Sequence, residues 1–452
     1  MLELTLNEAA RAAGGTLENA ELLPLRGEDR ILSVTLDSRK AAPGALFIAV
    51  KGERVDGHDY IEKAIAAGAL AALSEKEVPF PHIRVKEALP AMQGIAAHLR
   101  EKSGLPIVAV VGSVGKTSTR QMLSCVLGKR FHILSTEGNF NNEFGVPQML
   151  FRLEPDHELA VLEMGISHFG EMERLARMVR PDLAVYTNIG SMHLENLIDL
   201  DGVLRAKTEL VPYIRPGGKL FMNGADEKLR AFHSDVETVY YGTDECYAVH
   251  AEDVRQIGLE RTEFTLVCGS AALPVSMPAV GRHMVLNAIA AATVAKELGM
   301  TAEEIRAGLE SYTPVGHRGR VEKLGGITLV DDCYNAGPDS MRASIAALRG
   351  ERRIALLGDM LELGETTREL HESLGEFCKA NLEALFTVGE LGQSIAEGAR
   401  KAGMSEVFPL ERETAAEKVW EYLRSGDALL IKASRGMHLE DIVDALTAML
   451  KS

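Results

Sequence analysis

Residues 106–120 read PIVAVVGSVGKTSTR, and the order of these residue types decides the fold of the chain around them. The apolar run predicts a buried strand, the glycines predict a tight turn, and the lysine with its hydroxyl neighbours predicts the start of a helix. In such a turn backbone N–H groups converge on a polyphosphate, a lysine reaches the outer phosphates and a threonine hydroxyl can ligate Mg²⁺. The stretch therefore predicts nucleotide binding at Gly112, Ser113, Gly115, Lys116, Thr117 and Ser118.

One position departs from the common form of this motif. That form carries a glycine five positions before the glycine of Gly115-Lys116, and Val110 stands there. A plain glycine-rich turn before a helix would explain the glycines. It does not explain a lysine and three hydroxyl side chains directly after an apolar strand, so nucleotide binding is the working hypothesis.

Length, charge and cysteine spacing narrow the class of protein. A chain of 452 residues is too long for one ordinary core, and about three domains are expected. A formal charge of −16 opposes general nucleic-acid binding. The apolar runs are too short for a membrane helix, and the N-terminus is polar, which predicts a soluble cytoplasmic protein without membrane insertion. The five cysteines are scattered and never in CxxC spacing, which argues against a disulfide framework or a zinc site.

Two later strands carry polar groups where they end. Residues 158–165 read ELAVLEMG and place Glu163 near the end of a strand, and residues 182–190, DLAVYTNIG, are followed by His193. Ligands of an open parallel sheet lie at the carboxyl ends of its strands, so both side chains should face the crevice of Lys116. A carboxylate there suits Mg²⁺, a cation that prefers oxygen ligands. Either residue alone would more often be structural, but three such groups at three strand ends favour a site.

Other segments of the sequence indicate how the chain is divided into domains. Two polar loops, at 37–39 and 51–59, each follow an apolar strand and could line a ligand cleft, although turn chemistry explains them too. Residues 86–102 have the spacing of a helix that leads into a central domain. Strands further on include an alternating one at 259–267, so the central sheet is expected to be mixed. From about residue 313, strands and helices alternate, which predicts a Rossmann-like domain; its first turn lacks GxGxxG, so no dinucleotide site is inferred.

Taken together, the motifs resemble the Mur ligase family over essentially the full length. The carriers are DSR with PGALFIAVKGERVDGHDYIEKA, GSVGKTST, GNFNNEFGVP, LEMGISHFGEM, TNIGSMHLE, AKTEL, GRHMVLNA, GRVE, DDCYNAGPDSM, GDMLELGE and KASRGMHLEDIV. The resemblance implies an α/β fold of three domains: a small α/β N-terminal domain (1–84) for a UDP-muramoyl substrate, a central P-loop mononucleotide-binding mixed-sheet ATPase domain (85–312) and a C-terminal Rossmann-like ligase domain (313–452).

The resemblance also implies roles for individual residues. Lys116 would bind the γ-phosphate of ATP, Thr117 and Glu163 would hold one Mg²⁺, and His193 would help to hold a second. Lys207, which otherwise reads as a surface lysine on a helix, stands where these ligases carry a carbamylated lysine. An amine that burial keeps neutral can add CO₂ and become an anion able to align magnesium.

Further contacts are implied for nucleotide and substrate. Asn287 would contact the adenine, Arg320 the phosphates and Asp332 the ribose. The expected substrate contacts are Ser38 and Arg39 at the UDP end and Asn142, Tyr334, Asn335, Ser434 and Arg435 elsewhere. Three positions depart from the family's usual residues and carry no inherited role: Cys333 (usually Ser), Gly337 (usually Asn) and Ala433 (usually Gly).

The activity implied by the resemblance is ATP-dependent amide bond formation. D-alanyl-D-alanine would be joined to UDP-N-acetylmuramoyl-tripeptide by a monomeric enzyme, and lysine or diaminopimelate as the third peptide residue stays open. Rivals are a sister ligase that adds the third amino acid, although its usual DNP-type arginine motif is absent, and a folylpolyglutamate-type ligase. A P-loop GTPase would want an NKxD motif, which the sequence lacks. A non-catalytic muropeptide-binding protein would have little reason to keep Lys116, Glu163, His193 and Lys207 together.

Overall fold

The computed structural model describes residues 1–23, 30–52 and 55–451. Glu53 and Arg54 of the second N-terminal loop lie outside the described residues. The described chain forms three α/β domains in sequence order, as expected. No helix among the described residues has both the length and the apolar character needed to cross a membrane.

The N-terminal domain is a five-stranded sheet in the order β1-β5-β4-β3-β2, parallel except for β1. Helix α1 begins with a capping box between Thr5 and Glu8, which satisfies backbone N–H groups of its first turn. The elements are β1 (Thr16–Glu18), β2 (Ser33–Thr35), β3 (Ala45–Ile48), β4 (Ala71–Ser74), β5 (His82–Arg84), α1 (Leu6–Ala12) and α2 (Ile61–Ala66), with 3₁₀ turns at Ala20–Leu22, Ser38–Lys40 and Gly57–Tyr60.

Helix α3 (Ala88–Ser103) joins this domain to the central one, as its spacing predicts. Its buried face, which includes Met92, Ile95 and Leu99, belongs to one apolar cluster that runs from the N-terminal domain into the central sheet. The two domains therefore share a core, and burial of that core holds them together.

The central domain contains parallel and antiparallel strands, as expected, but in two separate sheets rather than one mixed sheet. The parallel sheet has the order β11-β10-β9-β6-β8-β7, and β12, β13 and β14 form an antiparallel meander. The strands are β6 (Ile107–Val111), β7 (Ile133–Ser135), β8 (Leu159–Glu163), β9 (Leu183–Tyr186), β10 (Lys219–Asn223), β11 (Glu237–Tyr241), β12 (Val249–Ile257), β13 (Arg261–Cys268) and β14 (Ala271–Met277). The helices are α4 (Lys116–Leu127), α5 (Gly145–Leu150), α6 (Glu171–Val179), α7 (Leu194–Leu197), α8 (Leu200–Thr208), α9 (Glu227–Ala231), α10 (Arg282–Glu297) and α11 (Ala302–Glu310), with a 3₁₀ turn at Val211–Tyr213.

Strand β6 occupies the middle of the parallel sheet and is fully buried. Its neighbours are β8 and β9, so the strands that precede the phosphate loop, Glu163 and His193 lie side by side. The three segments therefore leave the sheet at the same edge, as the strand pattern of the sequence predicts.

The C-terminal domain is a doubly wound sheet in the order β15-β16-β20-β17-β18-β19. All neighbours are parallel except β15 and β16, and buried apolar clusters cover both faces. The strands are β15 (Arg320–Leu324), β16 (Ile327–Asp331), β17 (Arg352–Leu357), β18 (Ala384–Val388), β19 (Val407–Leu410) and β20 (Asp427–Lys432). The helices are α12 (Pro338–Ala347), α13 (Thr367–Asn381), α14 (Gly392–Lys401), α15 (Arg412–Tyr422) and α16 (Glu440–Lys451), with 3₁₀ turns at Gly364–Thr366 and Arg435–Met437.

Candidate active site

The turn after β6 has the backbone geometry of an anion-binding loop. Gly112 (φ 152°) and Gly115 (φ 83°) adopt backbone angles that other residues rarely adopt. A Cβ at Gly112 would collide with the Thr187 hydroxyl. The loop is held from the end of β9, because Ser113 N and Val114 N donate to the backbone and side-chain oxygens of Asn188 at 3.0 and 2.9 Å. Backbone N–H groups at the start of α4 are thus fixed where a phosphate can meet them.

Lys116 folds back over the loop that precedes it. Its Nζ donates to Gly112 O at 2.8 Å and Ser113 O at 3.1 Å. Burial lowers the pKa of this ammonium group, and the Glu163 carboxylate opposes that shift. A phosphate in the loop would therefore find a cation already positioned and poorly solvated.

Glu163 ends β8 with one carboxylate oxygen engaged and one unpaired. Asn141 Nδ2 donates to Oε1 at 2.8 Å, and Glu163 N donates to Thr136 Oγ1 at 2.9 Å. Oε2 is buried, and no hydrogen-bond donor among the described residues reaches it. Buried carboxylate oxygens normally have a partner. An orphaned oxygen near Lys116 and the buried Thr117 hydroxyl fits a hard divalent cation such as Mg²⁺.

His193 lies in the loop after β9, in the left-handed backbone region (φ 56°). Its Nδ1 is 2.5 Å from Oε2 of Glu362, which belongs to the C-terminal domain. The same segment is held a second time, because Glu195 N donates to Glu362 O at 3.4 Å. The predicted magnesium ligand thus also contacts the opposite domain.

Lys207 is buried, although most lysine side chains of folded proteins are exposed. It is 1% exposed on α8, and among the described residues no carboxylate forms an ion pair with it. Burial, and to a smaller extent the charge of Lys116, lower its pKa well below 10.5. Lys207 does not line the cavity described below, although Lys116, which does, acts on it electrostatically. An amine held neutral in this way is the form that can react with CO₂.

Asp332 occupies the wall contributed by the C-terminal domain. Its Oδ2 accepts hydrogen bonds from Lys432 Nζ and from Ser344 Oγ, both at 2.6 Å. Lys432 also donates to Asn335 O at 3.1 Å and is 4% exposed. Lys432 therefore fixes the turn after β16 from β20, a role not assigned from the sequence.

Two arginine guanidinium groups lie over one aromatic ring in the part of the wall that the C-terminal domain contributes. The guanidinium of Arg318 lies 3.8 Å from the ring centroid of Tyr334, and that of Arg435 lies 5.5 Å from it. Arg318 acts electrostatically on Lys116, so it faces the phosphate loop. Arg320, predicted from the sequence, is paired with Glu322 and lines a smaller adjoining cavity instead of this one. The two arginines are two positions apart, and the sequence alone did not single out Arg318.

A cavity of about 740 Å³ lies between the central and C-terminal domains. The predicted residues that line it are Ser113, Gly115, Lys116, Thr117, Ser118, Asn142, Glu163, His193, Asn287, Asp332, Tyr334, Asn335 and Arg435. Asn287 packs against the loop, because a Cβ at Gly115 would lie 3.1 Å from its Oδ1.

Three other predicted substrate contacts are not brought to this cavity. Ser38 is buried in a turn of the N-terminal domain, and Arg39 pairs with Asp37 at 2.8 Å. Ser434 is 4% exposed, where its hydroxyl accepts from Leu361 N at 2.9 Å and donates to Ala336 O at 3.3 Å. In this structure Ser434 joins two loops of the C-terminal domain.

Comparison with known proteins decides the family. The chain is 36% identical to UDP-N-acetylmuramoyl-tripeptide–D-alanyl-D-alanine ligase of Bacillus subtilis (strain 168), with 99% of each chain covered. The ligase with the same name from Escherichia coli (strain K12) is 32% identical, again over 99% of both chains. The chain belongs to the Mur ligase family. Three family models match in order: the Mur ligase family catalytic domain (30–102), the Mur ligase middle domain (110–295) and the Mur ligase glutamate ligase domain (317–435).

Solved structures of this Mur ligase's relatives share the whole architecture. One crystal structure of MurF from Acinetobacter baumannii superposes with a TM-score of 0.90, at 29% identity and 99% coverage of both chains. MurF ligase from Thermotoga maritima in complex with ADP gives a TM-score of 0.84 at 28% identity, with 93% of this chain and 98% of that one covered. The three-domain α/β fold predicted from the sequence is confirmed.

Proposed function

We propose that this Mur ligase joins D-alanyl-D-alanine to UDP-N-acetylmuramoyl-tripeptide, with ATP converted to ADP and phosphate, to give the pentapeptide precursor of peptidoglycan. One observation carries the proposal: Lys116 of the phosphate loop, Glu163 at the end of β8 and Asp332 of the C-terminal domain line one cavity. The full-length relatives of the same name support the choice of substrates.

The nucleotide is proposed to lie between the two domains. The loop from Gly112 to Ser118 would hold the phosphates, with Lys116 on the γ-phosphate. Asn287, packed against the loop, would contact the adenine, and Asp332 would contact the ribose from across the cavity. Arg318 supplies a cation on the cavity wall, and Arg320 would require a different domain arrangement to reach the phosphates.

Thr117, Glu163 and His193 are the residues proposed to hold magnesium. The unpaired oxygen of Glu163 fits this assignment, since it is a hard oxygen ligand buried beside the loop. When bound, Mg²⁺ would neutralise charge on the phosphate oxygens during phosphoryl transfer. Lys207, as a carbamate, would supply a further anion behind this group.

The chemistry asks the protein mainly for positioning. The tripeptide carboxylate would attack the ATP γ-phosphorus and form an acyl phosphate and ADP. The amine of D-alanyl-D-alanine would then attack the acyl carbon, and phosphate would leave. Lys116 and Arg318 would offset the charge of the transferring group, while the C-terminal wall would exclude water that could hydrolyse the acyl phosphate.

The remaining assignments belong to the same proposal. The N-terminal domain (1–84) would bind the UDP end through Ser38 and Arg39, the central domain (85–312) would bind ATP, and the C-terminal domain (313–452) would close the site. Asn142, Tyr334, Asn335 and Arg435, which line the cavity, would orient the peptide substrates, and Ser434 would support them from behind through its hydrogen bond to Ala336 O. We propose a cytoplasmic monomer that needs no nucleic acid.

A phosphate-release assay with a panel of amines tests the proposal. Release should require ATP, a UDP-N-acetylmuramoyl-tripeptide and D-alanyl-D-alanine together, and should be lost in Lys116→Ala. Running lysine- and diaminopimelate-containing tripeptides side by side assigns the third residue. Release with free amino acids on a dipeptide substrate, or with glutamate on a folate, would overturn the assignment.

A further inference from the structure

Three metal-ligating side chains converge beside the active site without lining it. The ligand atoms of His317, Asp331 and Cys333 all lie within 4.8 Å of one another. His317 Nδ1 is 2.6 Å from Asp331 Oδ2, and Cys333 N donates to Asp331 Oδ1 at 3.3 Å. None of the three belongs to the cavity wall, although their chain neighbours Arg318 and Asp332 do. The proposed ligase reaction gives these groups no role.

The fold brings the three together from two separate segments. His317 lies in the connection between α11 and β15, which joins the central domain to the C-terminal domain. Asp331 ends β16, and Cys333 follows in the next turn. The connection is already fastened to that turn, because Tyr334 N donates to His317 O at 3.0 Å. The absence of CxxC spacing excludes only zinc sites that are built from paired cysteines, and this site needs a single cysteine.

We propose that His317, Asp331 and Cys333 form a binding site for a divalent transition metal ion, with Zn²⁺ as the natural occupant. One imidazole, one carboxylate and one thiolate are a donor set that Zn²⁺ takes in tetrahedral geometry with a water as the fourth ligand. Donor atoms on one tetrahedral zinc lie about 3.3–3.8 Å apart at the usual bond lengths. The hydrogen-bonded pair would therefore open by about 1 Å, and the Cys333 sulfur, which lies within 4.8 Å of the other two donor atoms, would close on the metal by up to about 1 Å.

The groups around Cys333 favour the binding of a cation there, and they do not activate its thiol as a nucleophile. Asp331, Glu440 and Asp332 all act electrostatically on Cys333, and Glu440 Oε2 is buried without a hydrogen-bond partner among the described residues. The thiol is 1% exposed, and burial followed by the charge of Asp331 raises its pKa, so it is a poor nucleophile. A dication entering this site would displace the thiol proton to solvent and shift the imidazole proton to Nε2.

His317 determines both how a metal ion would reach the site and which part of the protein its binding would fix. The His317 side chain is 34% exposed, whereas those of Asp331 and Cys333 are buried, so the imidazole is the solvent-facing ligand. A bound metal would fix the connection to the turn after β16. It would thereby also fix Arg318, the next residue along the chain, over the Tyr334 ring. The consequence is a more rigid junction between the two domains.

Titration of the metal-free full-length protein with Co²⁺ alone, without Mg²⁺ or nucleotide, tests the site. A thiolate-to-cobalt charge-transfer band should grow to one equivalent, and Zn²⁺ should bleach it. Cys333→Ser should abolish the band, and His317→Gln should weaken Co²⁺ binding because the site loses its imidazole ligand. Cys246→Ser, which alters an exposed thiol, should change neither. The stacked His132 and His157 could also bind Co²⁺, but without a thiolate band.

Thermal unfolding gives a second readout that does not depend on colour. Zn²⁺ should raise the unfolding midpoint of the wild type and leave that of Cys333→Ser unchanged. If Cys333→Ser does not fold, His317→Gln decides, since its side chain lies on an exposed connection. Absence of the band in the wild type, or its persistence in Cys333→Ser, would overturn the proposal.

Discussion

At the scale of single residues, the strongest indication of a metal-binding site is the Glu163 carboxylate oxygen that is buried without a hydrogen-bond donor among the described residues. Glu163→Gln keeps the size of the side chain and removes its charge, so the fold should survive. We expect the rate of phosphate release to fall by about 10²–10³, as for the loss of one placed electrostatic contact. Calorimetric titration should show that Mg²⁺ no longer strengthens ATP binding.

Glu303→Gln is the matched control for this change, because Glu303 is exposed on α11 and far from the loop in sequence. It should behave as the wild type. An unchanged magnesium dependence in Glu163→Gln would remove Glu163 from the metal site.

The buried amine of Lys207 lowers the stability of the folded protein, but we propose that the reaction needs it. Lys207→Met removes a buried amine that must lose its proton when the chain folds. We expect the variant to be more stable at neutral pH by about 0.5–2 kcal/mol and to release phosphate about 100-fold more slowly. Lys207→Ala should regain part of its activity with added short carboxylates, which can replace the carbamate.

The pH dependence of this stability difference has a defined sign. The unfolded chain holds the Lys207 proton up to about pH 10.5, while burial lowers the folded pKa well below that value. The unfolded state therefore binds more protons in this window, and wild-type stability rises with pH. The advantage of Lys207→Met should shrink from pH 7 toward pH 10, as measured by urea unfolding. A constant difference would show that Lys207 is charged when folded.

At the scale of elements, helix α3 is fastened to the central domain by one buried guanidinium. Arg100 is 1% exposed and donates to Val179 O, Leu105 O and Arg180 O at 2.7–3.0 Å, and to Asp182 Oδ2 at 3.0 Å. Arg100→Met would remove the donor to three backbone carbonyls and the cation that pairs with Asp182. We expect a loss of about 3–5 kcal/mol in the free energy of unfolding, measured in urea.

Arg177 provides the comparison, because it pairs with Glu173 on the surface of α6. Arg177→Met should cost less than about 1 kcal/mol. Equal losses in the two variants would mean that the buried network adds nothing to the junction.

The parts of the site that follow from local pattern were predictable from the sequence. The phosphate loop is a contiguous motif, Glu163 ends a strand that reads clearly as buried, and His193 follows another such strand. What escaped prediction depends on pairing across long separations. Lys432 meets Asp332 because β20 lies beside β16, about one hundred residues apart, and no local pattern encodes that neighbour. The choice between Arg318 and Arg320 likewise depends on how the third domain sits on the second.

At the scale of the whole molecule, the three domains are joined unequally. The N-terminal and central domains share one continuous apolar core, whereas the C-terminal sheet has separate clusters on its two faces, of which one takes in Leu259 of the central domain. Polar contacts contribute much of the second boundary. They include the His193–Glu362 pair, a hydrogen bond of 2.7 Å from Gln256 Nε2 to Ala347 O, and the ion pair between Lys323 and Glu260. Rigid-body motion is therefore expected between the central and C-terminal domains.

The Glu362 contact offers a way to measure that motion. Glu362→Ala removes the carboxylate that holds the loop of His193, so the C-terminal domain should swing away more often when no nucleotide is bound. We expect small-angle X-ray scattering to give a larger radius of gyration for nucleotide-free Glu362→Ala than for the wild type. Addition of a non-hydrolysable ATP analogue with Mg²⁺ and the tripeptide substrate should return both proteins to the same smaller value. Glu365→Gln, exposed on the same loop, serves as the control and should match the wild type throughout. If Glu362→Ala and the wild type scatter alike without nucleotide, this contact does not hold the domains together, and closure must depend on the apolar contacts near Leu259 instead.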